Sequence, residues 1–151
     1  MGRHFVQANM TNLTDLENTV LQMMLNGDHP VLKYLRPQLE LCHVEKRKFT
    51  GTGFYTELYV NLNTVVLPKL SIAFGDIAAE VSGLQYGAGF MLFVEGGLLD
   101  VLEGYCYGET WPEQGAKFNL SYMPSNSGVI NAEARNWKSL NKVLDEALKK
   151  A

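Results

Sequence analysis

The sequence is poor in the residues that build metal sites and disulfide frameworks. It has two cysteines, Cys42 and Cys106, and three histidines, His4, His29 and His43. No two histidines are spaced to share one helical face, and the Cys42-His43 pair lacks the further ligands of a zinc site. We therefore expect no metal site. Two distant cysteines without a secretory signal more often stay reduced, which indicates a cytoplasmic protein.

Long apolar runs and basic clusters are missing as well. No segment approaches the ~20 apolar residues of a membrane-spanning helix, and the N-terminus does not resemble a secretory signal. The formal net charge is −3, and the 13 Lys and Arg residues are scattered along the chain. Nucleic-acid binding needs a basic patch, whereas residues 46–48 are typical of a charged edge strand. We expect neither a membrane nor a nucleic acid as partner.

Motifs of common catalytic sites are also missing. Gly51-Thr52-Gly53 and Gly87-Ala88-Gly89 lack the complete phosphate-loop and dinucleotide patterns, and neither precedes a predicted helix. No Gly-x-Ser-x-Gly segment is present. A thiol nucleophile would need a base that the sequence does not locate. We therefore expect no catalytic residue and no cofactor.

The composition that remains is that of an ordinary globular protein, with 46% hydrophobic and 19% charged residues. A chain of 151 residues is long enough for one domain with one core. Residues 1–10 show no clear periodicity. We expect them to form a disordered arm, or a stretch upstream of a start at Met10.

Three segments carry apolar residues at helical spacing. Thr14-Asp15-Leu16-Glu17 is a capping box that opens a helix, and Gly27 ends it. A second short helix begins near Pro30, and Pro37 is expected to kink it or end it early. The closing helix has an apolar stripe at Trp137, Leu140, Val143, Leu144 and Leu148. This order predicts an N-terminal helical hairpin and a C-terminal helix.

Between the helices the apolar period changes to two. A polar strand covers residues 44–49, a turn covers 50–53, and residues 54–60 alternate again. Residues 76–82 and 117–122 are further predicted strands with one solvated face. Helices followed by strands and then a helix predict an α+β fold with an antiparallel β-sheet.

The most apolar strand is predicted at residues 89–94, where every position is apolar. This pattern predicts a strand that is covered on both faces. Gly96-Gly97 supplies a two-residue turn into a second strand at residues 98–102. We expect this hairpin at the centre of the sheet.

The hairpin places one acid at the end of an apolar face. With a two-residue turn, Phe90 lies opposite Glu103 and Gly89 opposite Gly104, unless a bulge at Gly104 changes the pairing. Loss of hydration would favour the neutral form of Glu103. Glu103 is therefore a candidate acid, base or ligand anchor in a pocket between this sheet face and the helices. Alternatively, it lies at the rim and bonds a backbone amide or a tyrosine hydroxyl.

A cluster of aromatic residues follows this acid. Residues 105–112 contain large aromatic side chains, an acid, a glycine and a proline, a mixture that is typical of binding surfaces. The Trp-Pro pair can equally be a lid on the core. The candidate ligand or partner surface consists of Glu103, Tyr105, Tyr107, Glu109 and Trp111.

Three segments, FTGTGFYTEL, YGAGFMLFVEGG and LLDVLEGYCYGETWPE, resemble a family of short bacterial proteins of unknown function. The resemblance covers about residues 25–112. It implies a bacterial origin and a shared fold, and it attaches no activity, cofactor or catalytic residue.

Three functional hypotheses follow from these residues. The first is a non-enzymatic interaction protein, such as an immunity-type accessory protein, because the chain is acidic and carries the aromatic cluster. The alternative is a small-molecule-binding domain or minor enzyme that uses Glu103 in a sheet-face pocket. The third is a homodimer in which a second copy covers the apolar hairpin.

Overall fold

The computed structural model describes residues 12–113, 115–123 and 135–151. In these ranges the helices are α1 (Asp15–Met24), α2 (Pro30–Leu35) and α3 (Trp137–Lys150), with a 3₁₀-helix, Arg36–Leu41, directly after α2. The strands are β1 (Cys42–Phe49), β2 (Gly53–Val60), β3 (Ile72–Phe74), β4 (Ile77–Val81), β5 (Ala88–Glu95), β6 (Leu98–Cys106) and β7 (Phe118–Tyr122). The predicted α+β fold is confirmed. The arm expected at residues 1–10 lies outside the described residues.

Both N-terminal helices begin and end where the local chemistry requires. In α1 the Glu17 N–H donates to the Thr14 hydroxyl at 3.1 Å, and the Thr14 N–H donates to the Glu17 carboxylate at 2.8 Å, which confirms the capping box. In α2 the imidazole of His29 accepts a hydrogen bond from the Val31 N–H. As expected of Pro37, the α-helix ends at Leu35 and the chain continues as 3₁₀-helix.

One antiparallel sheet contains all seven strands of the described chain. Its order is β1-β2-β6-β5-β4-β7, and the short strand β3 pairs with β5 beside β4. The β5–β6 hairpin lies in the middle of the sheet, as predicted. The sequence did not predict β3, because three residues are too few to show an alternating pattern.

The helices cover one face of the sheet, which we call the inner face. The inner face and the helices share one core, whose largest fully buried side chains include Leu21, Met24, Leu32, Phe90, Leu92, Leu102 and Leu144. Met91 and Phe93 point to the opposite, outer face and are only half-buried. The expectation that this strand is covered on both faces is therefore wrong for these two residues.

The central hairpin contains a β-bulge near its turn. The pairing of β5 with β6 shifts between Phe93 and Val94. Val94 lies opposite Leu99, whereas Phe93 lies opposite Val101, so Asp100 is an extra residue on β6. Such a residue shifts every later pair by one position.

The bulge overturns the predicted pairing of Glu103. Met91 lies opposite Glu103, and Phe90 lies opposite Gly104. The predicted pairs of Phe90 with Glu103 and of Gly89 with Gly104 are both wrong. Because side chains alternate between the two faces of a strand, one extra residue moves Glu103 from the inner face to the outer face. The sequence allowed for a bulge at Gly104, but the bulge that changes the pairing lies four residues earlier, at Asp100.

Arg135 joins the C-terminal helix to α1 and the sheet. Its guanidinium binds the Asp76 carboxylate at 2.5 Å and 3.0 Å and donates to the carbonyl oxygens of Asn26 at 2.6 Å and Met24 at 2.7 Å. The side chain is 2% exposed. It therefore lies inside the protein with its charge compensated on one side by a carboxylate and on the other by the end of a helix.

A second guanidinium completes the same helix end. Arg36 donates to the Leu25 carbonyl at 2.9 Å and also to the Gly27 carbonyl. The last turn of α1 contains no basic residue of its own. Arginines from two distant positions thus stabilise the negative end of the α1 dipole.

We expect Arg135→Met to lower the free energy of unfolding by about 3 kcal/mol, because it leaves Asp76 and the carbonyl oxygens of Met24 and Asn26 without their partner. Urea unfolding followed by far-UV circular dichroism measures this change. The exposed residue Lys138 provides the matched control, and Lys138→Met should change stability by less than about 0.5 kcal/mol. Equal effects of the two substitutions would contradict the assigned role of Arg135.

Candidate functional site

Glu103 lies at the centre of the outer face, between two neighbouring strands. Its partners across the strands are Tyr55 on β2 and Met91 on β5. The Tyr55 hydroxyl hydrogen-bonds to the Glu103 carboxylate, which raises the pKa of Tyr55 above its ordinary value. The negative charge of Glu103 contributes to the same shift, because it disfavours a tyrosinate nearby. Glu103 thus interacts with a tyrosine hydroxyl, as one of the two interpretations of the sequence predicted, but at the centre of the outer face and not at a rim.

Two further tyrosines continue this surface towards the end of β6. A Cβ atom built on Gly89 would lie 2.5 Å from the Tyr105 hydroxyl oxygen, so the missing side chain lets Tyr105 lie across β5. The rings of Tyr105 and Tyr107 meet edge-on with centroids 5.8 Å apart. Burial, and then the neighbouring Tyr107, raise the pKa of Tyr105. Tyr107 is 51% exposed and is available for contact.

Carboxylates crowd the other half of the outer face. Asp100 lies at the bulge with much of its surface exposed. Partial burial of its carboxyl group, and then the charges of Glu95 and Glu57, raise the pKa of Asp100. The Ser71 hydroxyl donates to Glu95 at 2.8 Å. We call Tyr55, Glu57, Asp100, Glu103, Tyr105 and Tyr107 the outer patch.

The remaining two predicted residues lie away from the outer patch. The Glu109 carboxylate accepts the backbone N–H groups of Gln85 at 2.8 Å and Tyr86 at 3.1 Å, and so fixes the β4–β5 loop. The ring of Trp111 meets Phe54 edge-on, with centroids 5.0 Å apart. The structure therefore brings three of the five candidates together and separates Glu109 and Trp111 from them.

Trp111 lines a groove at the edge of the core, on the side of the sheet where α1 lies. The cavity has a volume of about 340 Å³ and does not include Glu103. Its lining residues are Thr14, Asp15, Leu16, Glu17, Arg47, Phe49, Phe54, Val81, Trp111, Pro112, Glu113, Gly115, Ala116 and Phe118. A small-molecule site at this groove would therefore use residues other than the Glu103 pocket predicted from the sequence.

An ion pair lies against this groove and was missed by the sequence analysis. Arg47 donates to the Glu17 carboxylate from Nε at 2.8 Å and from Nη2 at 2.5 Å, and the Thr56 hydroxyl donates to the same carboxylate. Burial alone would raise the pKa of Glu17, but hydrogen bonds from Arg47, Thr56 and the Thr14 N–H, with the charge of Arg47, lower it overall. The sequence contained one sign that Glu17 is buried, because Glu17 lies at helical spacing from the apolar residues Val20, Leu21 and Met24.

The chemistry of the thiols is that of core residues. Burial raises the pKa of Cys42 to about 12, and the charge of Glu17 adds to the shift. The Cys106 thiol is buried, and its one S–H group has the carbonyl oxygens of Thr52 and Glu109 within hydrogen-bond distance as acceptors. Among the described residues no group of three or more His, Cys, Asp and Glu side chains could hold a metal ion.

Helix length and polarity also bear on membrane insertion. Over the described ranges, every helix is too short or too polar to span a bilayer.

Comparisons of the chain with models of known protein families, with curated proteins and with solved structures find no match. The resemblance to short bacterial proteins stays a prediction. The function is therefore inferred from the geometry of the two surfaces described above.

The lowered pKa of Glu17 makes stability depend on pH in a defined direction. The folded state favours the ionised carboxylate, so its contribution is present above the unfolded pKa, near 4.5, and is lost as the pH falls through the lower folded value. We expect Glu17→Gln to lower the free energy of unfolding by about 3 kcal/mol at about pH 7 and by less in acid. Urea unfolding at a series of pH values, from about pH 7 into the acid range, measures this loss of stability. Glu40→Gln, a change at an exposed residue, is the control. A pH-independent loss would contradict the argument.

The bond between Tyr55 and Glu103 is testable by titration. Tyr55 should ionise above its ordinary pKa of 10.0, and Glu103→Gln should move its pKa down towards that value, because the carboxylate charge is removed. Carbon-13 NMR of labelled tyrosine follows each ring separately. Glu40→Gln should leave the Tyr55 titration unchanged, and an identical titration in Glu103→Gln would rule out the contact.

Proposed function

We propose that this chain is a non-enzymatic interaction protein that binds a basic partner protein through the outer patch. The observation that carries the proposal is one face of a central sheet that combines accessible tyrosines with crowded carboxylates. Glu103, Tyr105 and Tyr107 belong to the surface that the sequence predicted for this role.

Tyrosine supports this proposal because its side chain combines a large apolar ring with a polar hydroxyl. Tyr55 is 38% and Tyr107 51% exposed, while the ring of Tyr105 is held across β5. Rings fixed on a rigid sheet lose little conformational entropy when a partner covers them. Such residues are frequent energetic centres of protein interfaces.

The carboxylates determine which partner fits. Asp100 is ionised at a cost, because its carboxyl group is partly buried and because Glu95 and Glu57 repel its charge. A lysine or arginine brought by a partner would relieve this repulsion, whereas an acidic partner would increase it. The net charge of −3 would also accelerate association with a basic protein. An immunity-type protein that covers a basic toxin is one example of this function.

A homodimer through the outer patch is a weaker candidate. In two identical copies related by a twofold axis, the same carboxylates would come close to one another. Lys46 lies opposite Glu57, and Lys48 lies opposite Tyr55, so basic groups are present at the β1 edge. Neither lysine offsets the charges of Glu95 and Glu57 at Asp100, which favours a basic partner of different sequence.

The free thiols support a reducing compartment for this interaction. Cys42 and Cys106 are both buried and unpaired with each other. A cytoplasmic location is therefore part of the proposal.

The test is capture of partners from cells of the native host with the wild-type protein, two variants of the outer patch and one control variant as bait. Tyr107→Ala and Asp100→Asn should each weaken binding of a basic protein by at least about tenfold, as expected for central interface residues. Val66→Ser, a change of an exposed apolar residue in the β2–β3 loop, is the matched control and should bind normally. Cross-linking followed by mass spectrometry should place the contact on the outer patch.

The results separate the alternatives. A basic partner that all the variants retain equally would contradict the proposed surface. A dimer of the pure protein that Tyr107→Ala converts to a monomer, measured by light scattering, would favour the homodimer instead.

A further inference from the structure

The groove beside α1 is separate from the outer patch and has its own chemistry. We propose that it binds a small organic cation with an apolar body, such as a substituted ammonium ion. This site lies on the other side of the sheet and does not depend on the proposed partner surface. The argument rests on the aromatic walls of the groove, the charges of its lining and its size.

Aromatic rings form much of the wall. Phe49 and Phe54 are cross-strand partners on β1 and β2, and Trp111 meets Phe54 edge-on. Phe118 adds a fourth ring from β7. The faces of such rings carry negative potential, and cations placed over them are attracted. Phe49 is 58% exposed, so a bound ligand would shield from water a large apolar ring that is otherwise exposed.

The charges of the lining select a cation. The groove is lined by three carboxylates, those of Asp15, Glu17 and Glu113, and by one guanidinium, that of Arg47. Arg47 is ion-paired with Glu17, whereas Asp15 and Glu113 take part in none of the ion pairs between described residues. The net formal charge of the lining is therefore −2, carried by two exposed acids.

An anionic ligand would find little to bind here. The Arg47 Nε and Nη2 atoms already donate to Glu17, and Nη2 donates to the Asn12 carbonyl as well. At the start of α1, the capping box occupies the Glu17 N–H, and two acids offset the positive end of the helix dipole. The Nε and Nη2 donors of Arg47 and the Glu17 N–H are thus already used within the protein.

The size of the groove indicates a small molecule. Its volume of about 340 Å³ is at the lower end of the range of about 300 to 1,000 Å³ for ligand pockets. An ammonium group near Asp15 and Glu113 would leave an apolar body against Trp111 and Phe54. A whole helix or strand of another protein would not fit in this volume.

The test is titration of the full chain with benzyltrimethylammonium, followed by nitrogen-15 NMR. The Trp111 indole signal should shift and saturate, while Trp137, which does not line the groove, serves as internal reference. 3-Phenylpropionate and benzyl alcohol are the anionic and neutral comparison probes. We expect the cation to bind at least about fivefold more tightly than either.

Two variants test the assigned residues without disturbing the core. The double substitution Asp15→Asn with Glu113→Gln should weaken binding of the cation by about three- to tenfold, and Phe49→Ser by about threefold. Asp28→Asn with Glu40→Gln makes the same charge change away from the groove and should bind as the wild type does.

Three results would overturn the proposal. One is the lack of a saturable shift with benzyltrimethylammonium, and another is equal or tighter binding of 3-phenylpropionate. The third is a lysine- or arginine-containing peptide that shifts Trp111 when the small cation does not, because this would assign the groove to a protein partner.

Discussion

Glu17 places a carboxylate inside the core, where α1 and the first two strands supply its hydrogen bonds. Removing a charge from water is costly, and a single missing partner would leave that cost uncompensated. The full set of donors therefore requires α1, β1 and β2 to be in one fixed arrangement. The same arrangement gives the Arg47 guanidinium its acceptors and places α1 along one wall of the groove. The ion pair therefore helps to determine both the shape of the groove and the net charge of its lining.

The opposite end of α1 shows the same dependence on distant residues. The capping box at the start of α1 could be predicted, because Thr14 and Glu17 are three residues apart and act within one turn. The binding of its last carbonyls by Arg135 could not be predicted, since the two positions are more than a hundred residues apart in sequence. Local signals determined where this helix starts, and tertiary contacts determine where it lies. The length of α2 was also predictable, because Pro37 acts on its own neighbours.

The hairpin shows how a local error changes a functional interpretation. The sequence correctly predicted two central strands and a glycine turn, but the segment Leu99-Asp100-Val101-Leu102 has no strict alternation. Both Leu99 and Leu102 are buried on the inner face, which requires an extra residue between them. That residue is Asp100, whose charge favours the exposed position. Because the period of a strand is two, the bulge moved Glu103 to the outer face and removed it from the predicted pocket.

The loop after β6 connects the two candidate surfaces. The Cys106 N–H donates to the Thr52 carbonyl at 2.9 Å, and the Trp111 N–H donates to the Gly51 carbonyl at 2.8 Å. Between these bonds, Glu109 holds the β4–β5 loop. A segment fixed at both ends places Tyr107 in the outer patch and Trp111 in the groove. The aromatic cluster that the sequence predicted as one surface therefore serves two, because five residues are enough to pass around the end of the sheet.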